Sequence, residues 1–468
     1  HRIAGHVSAL GALNELAVFG VGEGGDDSEV WATDGTAAGT RRLATLQRTA
    51  PGSEPSIVPR NGGGVLLLAW DGHQEEFWRS DGTAAGTHPV PGAELGDNRA
   101  LASTVLTPAA GLQFFTVVRQ PANSNAFSDV ELWRTDGTGP GTRVVASFGS
   151  HAELDFMTPW GSKVLFIVER PAGCSFWSSD GTAAGTRMIV PSVPGRRCPT
   201  AVAALDRSQF IFVARVEAHG GPVPQIFVSD GTPEGTRQIS AIRGTRESFN
   251  QASPVVSGGF AFLQISGEND TESELWRSDG TATGTFRVFK DLGDAGDLFG
   301  YQGFLYFTAD DPDGTWHLYQ ATVRGPGPPV ALALSAPPDQ SFASLQFTPA
   351  HGRLFFIGWD ADAGNDLWVT DGTPAGTQRV GSPGSRSSAP DGLVAAGHRI
   401  FFSGDDGEHG RELWESDGTP GGTHMVFDLN PGGFSSSPAN LAVSGNYLFF
   451  SADDGETGVE PWALRLEP

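Results

Sequence analysis

Cysteine, lysine and long apolar runs are all scarce in this sequence, and each shortage excludes something. Two cysteines among 468 residues, Cys174 and Cys198, rule out a disulfide-dense scaffold, and their spacing supports no metal site. Either one disulfide or two reduced, buried thiols fits the spacing. The disulfide is the expectation, because the rest of the chain reads as extracellular. Lysine occurs only at Lys163 and Lys290, so nearly all basic charge is arginine. With 30 basic against 54 acidic side chains, the formal charge is −24. That balance disfavours nucleic acid and anionic membrane surfaces, since phosphate binding needs Lys and Arg. Apolar runs such as Val65–Trp70 and Leu354–Ile357 are too short to span a bilayer, so no membrane insertion is expected. The sequence shows no signal peptide and starts at His1, so it reads as a mature or trimmed product. No amphipathic helical pattern stands out.

Glycine, aromatics and repetition are abundant: 64 Gly, 30 Phe and 12 Trp. A Ser/Thr-Asp-Gly-Thr core recurs with its aspartate at Asp34, Asp81, Asp136, Asp180, Asp230, Asp279, Asp371 and Asp417. A Gly-Thr pair follows each core at a fixed offset, and an aromatic precedes it (Trp31, Trp78, Trp133, Trp177, Phe227, Trp276, Trp368 or Trp414). Degenerate copies at His317-Leu318-Tyr319 and Glu460-Pro461-Trp462 bring the total to about ten units. Each unit carries four short β-type runs separated by Gly-rich turns, here named strands A to D. Repetition of four antiparallel strands is the signature of a β-propeller, in which each sheet buries its faces against its neighbours. The expected fold is therefore all-β: one propeller domain over residues 1–468, of about ten four-stranded blades in a single ring. Two five-bladed rings are an alternative, which no linker near residue 240 supports, and an open solenoid is a third. The last unit stops after its third strand, and the segment His1–Gly5 is expected to supply the missing one and close the ring.

The aromatic of strand C is expected to pack between blades. The Asp-Gly-Thr hairpin is expected to be a structural clasp between strands C and D. Its aspartate accepts backbone N–H bonds, its first glycine supplies positive φ, and its second lets the chain re-enter the sheet.

Glu131–Gly137, Glu274–Gly280 and Glu412–Gly418 match the motif ELWxxDG letter for letter. The whole chain thus resembles the bacterial family of secreted proteins named for its ELWxxDGT repeat. That resemblance implies a secreted or cell-surface location and a repeat-built β fold, and no particular reaction. The hairpin also resembles, more loosely, the Asp-box turn of sialidase-like propellers.

In an up-and-down blade, the B–C and D–A loops share one face. Nearly all length variation falls there, so any binding site is expected there or in the adjoining channel mouth. Asp360, Asp362, Asp366, Asp405, Asp406, Asp453 and Asp454, with Asp26-Asp27 and Asp310–Asp313, form acidic loops able to offer oxygens to Ca²⁺ or to be ordinary solvated turns. Trp70, Trp316 and Trp359 stand beside such loops as candidates to stack on a sugar ring. Arg243 and Arg246, with Arg196-Arg197 and Arg386, are candidate anion contacts or local charge neutralisers. No motif of nucleophilic, zinc or phosphate chemistry is present. His151, Asp155 and Tyr301 are named as channel residues by position alone. The leading expectation is a non-catalytic module binding an extracellular glycan or protein, with Ca²⁺ as a candidate cofactor. The alternatives are an extracellular glycan lyase or glycosidase and a structural component of a surface assembly.

Overall fold

The computed structural model describes residues 6–13, 15–22, 28–36, 38–46, 56–59, 64–70, 75–91, 95, 99–102, 106–120, 128–193, 198–218, 221–242, 254–266, 273–288, 295–311, 313–323, 329–336, 345–361, 364–381, 389–456 and 458–466. They form an all-β chain of ten blades, a β-propeller, with no α-helix among the described residues. In each blade the strands pair antiparallel in sequence order A-B-C-D. Blade 3 has an interrupted inner strand: Arg99–Leu101 and Thr107–Ala109 both pair with strand B, Leu112–Arg119. The tenth blade shows three strands among the described residues, Ala439–Ser444, Tyr447–Asp453 and Val459–Arg465. The expected fourth, His1–Gly5, lies outside the described residues.

Two compact units make up the chain. One contains His1–Asp97, Gly137–Pro140 and Phe342–Pro468, and so most of blades 1, 2, 8, 9 and 10. The other contains Asn98–Asp136 and Gly141–Ser341, with blades 3 to 7. Within the first unit, strand A of blade 1 (His6–Leu13) lies against strand A of blade 10 (Ala439–Ser444), so the first and last blades are neighbours.

Cross-strand register explains the repeat. In all ten blades the strand C aromatic faces a large apolar residue of strand B. The pairs include Phe19–Trp31, Phe115–Trp133, Phe166–Trp177, Phe356–Trp368 and Phe402–Trp414. The degenerate copies obey the same register, Phe307 facing Tyr319 and Phe450 facing Trp462. These aromatics reach the neighbouring blade: Trp78 packs on blade 1, Trp177 on blade 3 and Trp276 on blade 5. Burial of such large apolar surface is the main attraction between blades, on the order of several kcal/mol each at ~25 cal/mol per Å².

The glutamate of the motif lies two residues before the tryptophan, hence on the same face of strand C. Glu29, Glu76, Glu131 and Glu274 each accept the indole N–H of their own tryptophan, at 2.9, 3.1, 2.9 and 2.9 Å. In blade 9 the fully buried Glu412 is used differently. It accepts Leu429 N, Ser436 N and the Ser436 hydroxyl at 3.1, 2.9 and 2.5 Å, tying down the loop to blade 10.

Candidate functional site

The eight aspartates form a row of clasps. Asp417 Oδ1 accepts Thr419 N and the Thr419 hydroxyl at 2.8 and 2.7 Å, and Thr419 Oγ1 accepts Gly422 N at 3.0 Å. The Ser416 and Thr423 hydroxyls meet at 2.7 Å across the hairpin base. The same set recurs at Asp34, Asp81, Asp180, Asp230, Asp279 and Asp371. At Asp136, the Thr135 and Thr142 hydroxyls close the hairpin base in the same way. The threonine hydroxyl, then its N–H, holds Asp34, Asp81, Asp180, Asp230 and Asp371 below the usual carboxylate range. These side chains are committed to their own turns.

Both hairpin glycines are explained, one of them differently from the sequence reading. The first has positive φ, +85° at Gly418, and also rests on the preceding blade: a Cβ at Gly418 would stand 3.0 Å from Phe355, and one at Gly231 2.8 Å from Trp160. The second needs space. A Cβ at Gly39, Gly86, Gly141, Gly185, Gly235, Gly284, Gly376 or Gly422 would fall 1.9–2.1 Å from the clasp aspartate's Oδ1.

The acidic loops on the variable face are locally satisfied where described. Asp405 accepts Gly407 N, Asp453 accepts Gly455 N and Asp454 accepts Glu456 N, at 2.7, 2.8 and 3.0 Å. Asp406 accepts Glu408 N and His409 N at 2.9 Å each, and its other oxygen meets the His409 ring at 2.8 Å. Asp360 and the buried Asp366 flank Arg379, at 3.4 and 3.6 Å. Among the described residues, no three of the candidate calcium ligands Asp360, Asp362, Asp366, Asp405, Asp406, Asp453 and Asp454 come together. Trp316 and Trp359 are half-buried, at the start and near the end of their strands. Trp70 ends a strand, but its side chain lies outside the described residues, as do Asp26, Asp27, Asp362, Arg196, Arg197, Arg243, Arg246 and Arg386.

Blade 4 does gather carboxylates. Strand A (Glu153–Trp160) pairs with strand B (Lys163–Arg170), placing Glu153 opposite Glu169. With Asp155, their oxygens lie within 4.8 Å of one another. Burial, then the charge of Glu153, raises Asp155 above the usual carboxylate range; burial, then Asp155 and Glu153, raises Glu169. Beside them opens a cavity of about 570 Å³, lined by Val118, Ser128 and Val130 of blade 3 and by His151, Glu153, Glu169, Arg170 and Pro171 of blade 4. It lies on the B–C/D–A face, where a site was expected. Of the three residues expected near the channel, His151 lines this cavity and Asp155 belongs to the carboxylate cluster beside it, whereas Tyr301 lies in blade 7. The disulfide Cys174–Cys198 ties strand C of the same blade to the following loop, with Cα atoms 5.4 Å apart.

No protein-family model and no curated protein matches the chain. Solved structures align with it only at low identity and low TM-score. A puromycin hydrolase aligns over 96% of this chain and 59% of its own, with 12% identity and a TM-score of 0.36. The chain thus spans about three fifths of that protein. The propeller domain of the trilobed protease from Pyrococcus furiosus aligns over 81% of this chain and 96% of its own, with 11% identity and a TM-score of 0.34. An acylaminoacyl peptidase from Pyrococcus horikoshii gives 10% identity, 76% and 57% coverage, and 0.35. Likeness this distant says nothing of activity.

The sequence reading missed a second recurring device. Several inner strands kink at a residue with positive φ, Phe156 and Asp297 in one unit and Gly392 and Asn440 in the other, and Gln346 takes the same conformation just before Thr348–Ala350. Register shifts mark four of these positions as bulges, which re-aim side chains. Asn440 folds back to donate to the Ser451 hydroxyl at 3.1 Å, whereas Gln346 crosses to blade 9 and accepts Gly392 N at 3.0 Å. Burial raises Asp297, against the lowering effect of the Thr308 hydroxyl. Phe156 is the exception, 44% exposed beside Val202 and Val256. The residue type at the kink varies, so no motif betrayed it.

Proposed function

We propose that this chain is a secreted propeller of the ELWxxDGT type that binds an extracellular glycan in the blade 4 cavity. The carrying observation is the make-up of that cavity: carboxylates, an imidazole and a guanidinium share its lining with the apolar side chains of Val118, Val130 and Pro171. A sugar ring offers the same pairing, hydroxyls at its rim and C–H surface on its faces. The disulfide supports an oxidising compartment, and no helix among the described residues is long and apolar enough to cross a membrane. Screening the intact protein on a glycan array, then titrating hits against Glu153→Gln and Arg170→Ala, tests the reading. Loss of at least tenfold in affinity in both variants is expected. Hits that bind both variants as tightly as the parent would refute the site, and capture of proteins alone would favour a protein partner.

A second reading, an extracellular carbohydrate-active enzyme, draws on one observation. Asp155, held protonated to higher pH than a free carboxyl, neighbours a second carboxylate, as general acid catalysis of glycoside cleavage requires. Turnover of an array hit that disappears in Asp155→Asn would support it over simple binding.

A further inference from the structure

We infer that His351 and His398 form a two-imidazole site for a divalent transition metal such as Zn²⁺, joining the A–B turns of blades 8 and 9. His351 occupies the turn between Thr348–Ala350 and Arg353–Asp360, at φ +48°. His398 occupies the next blade's turn, between Asp391–Ala396 and Arg399–Asp405. Both residues belong to the same compact unit and both are exposed. Their Nδ1 atoms are 3.0 Å apart, with ring centroids 4.0 Å apart. Two nitrogens at about 2.0–2.1 Å from one zinc ion stand roughly 2.9 Å apart at a right angle and roughly 3.3 Å at a tetrahedral one. The observed gap falls between these values.

An independent hydrogen bond points the same way. His351 Nε2 bonds the Gly397 carbonyl oxygen. A carbonyl only accepts, so Nε2 carries the proton and Nδ1 presents its lone pair towards His398. Metal-ligating histidines characteristically donate their other ring N–H to a carbonyl or carboxylate, which fixes tautomer and ring orientation. The bond also anchors the blade 8 ring to the blade 9 turn, so the pair is oriented before any ion arrives. Water completes the coordination at this exposed position. The net charge of −24 raises the local concentration of cations. A bound ion would then link two inner strands that otherwise meet through side chains such as Gln346, whose amide donates to Asp391 at 2.7 Å.

The test uses the full chain, Zn²⁺ alone, calorimetry and thermal unfolding. The double variant His351→Asn/His398→Asn removes both ligands, and asparagine tolerates positive φ at residue 351. Its metal-free melting curve checks that it folds. The expected result is Zn²⁺ binding with a rise in melting temperature in the parent, at least tenfold weaker binding in the variant, and the rise gone. With Cu²⁺ as a spectroscopic probe, electron paramagnetic resonance should show two imidazole nitrogens in the parent and one in either single variant. Equal Zn²⁺ affinity in parent and double variant would overturn the proposal, whether the ion then sits at His1 or at another histidine. Absence of binding in the parent would reduce the pair to a hydrogen bond between imidazoles.

Discussion

Gly421 and Gly422 are neighbours in one turn, and replacing each by alanine should have opposite consequences. A Cβ at Gly421 meets nothing within 4 Å, whereas one at Gly422 stands 2.1 Å from Asp417 Oδ1 and 2.2 Å from its Cγ. Ordinary contact needs more than 3 Å, so the carboxylate must move by about 1 Å. That displacement breaks its two bonds to Thr419, at 2.8 and 2.7 Å. Bonds to a charged acceptor contribute about 1.5–3 kcal/mol, and overpacking costs about 1–3 kcal/mol. The turn is exposed, so water replaces much of what the two bonds contribute; Gly422→Ala should lose roughly 2–4 kcal/mol, whereas Gly421→Ala should be neutral or gain up to about 1 kcal/mol through a stiffer unfolded chain. Urea unfolding followed by tryptophan fluorescence measures both, with the buried Trp414 a reporter in the same blade. A double-mutant cycle sharpens the test. Asp417→Ala removes the clashing oxygen, so adding Gly422→Ala to it should cost little more. Equal effects of the two glycine changes, or strict additivity with Asp417→Ala, would refute the steric account.

Three further outcomes follow from the same geometry. Reducing Cys174–Cys198 should lower stability by ~3.5 kcal/mol if chain entropy dominates, seen as a shift in urea midpoint with and without reductant. Glu412→Ala leaves the Leu429 and Ser436 N–H groups without their acceptor and the Ser436 hydroxyl with only the Arg411 carbonyl, and should cost more than Glu29→Ala, whose carboxylate holds one indole and the exposed Arg42; paired urea curves decide. The clasp aspartates have folded pKa values below their unfolded ones. Their contribution is therefore complete above the unfolded pKa near 3.9 and disappears as pH falls through the lower folded values. Stability measured from pH 6 to pH 2 should drop steeply below pH 4, less so in Asp417→Asn.

Much of the fold was legible because the repeat writes its own register. Two-residue spacing puts Glu131 and Trp133 on one face, and the Asp-Gly-Thr letters recur because each fills a fixed place in the clasp. Even His317-Leu318-Tyr319, which keeps only the leucine of the motif, is aligned correctly, because Tyr319 supplies the aromatic facing Phe307. The blade 4 cavity was legible only as a face of the molecule. Glu153 and Glu169 are separated by a whole hairpin, and pairing register alone brings them opposite each other. His351 and His398 lay hidden for a related reason: their proximity comes from adjacent blades, and each alone looks like a surface turn residue. The inner-strand kinks left no trace, since Phe156, Asp297, Gln346 and Asn440 share backbone shape and no chemistry.

Because the hairpin glycine rests on the preceding blade, assembly acquires a direction in time. Gly82 leans on Leu16 of blade 1, Gly280 on Leu205 of blade 5 and Gly418 on Phe355 of blade 8. During synthesis from the N-terminus, each of these hairpins emerges to find its platform already made. Gly35 is the exception, for its neighbours are Tyr447 and Ala463 of the tenth blade, which is synthesised after blades 1 to 9. A nascent chain must therefore carry its first hairpin undocked while the blades that follow are made. The contact that completes blade 1 forms only when the tenth blade is released.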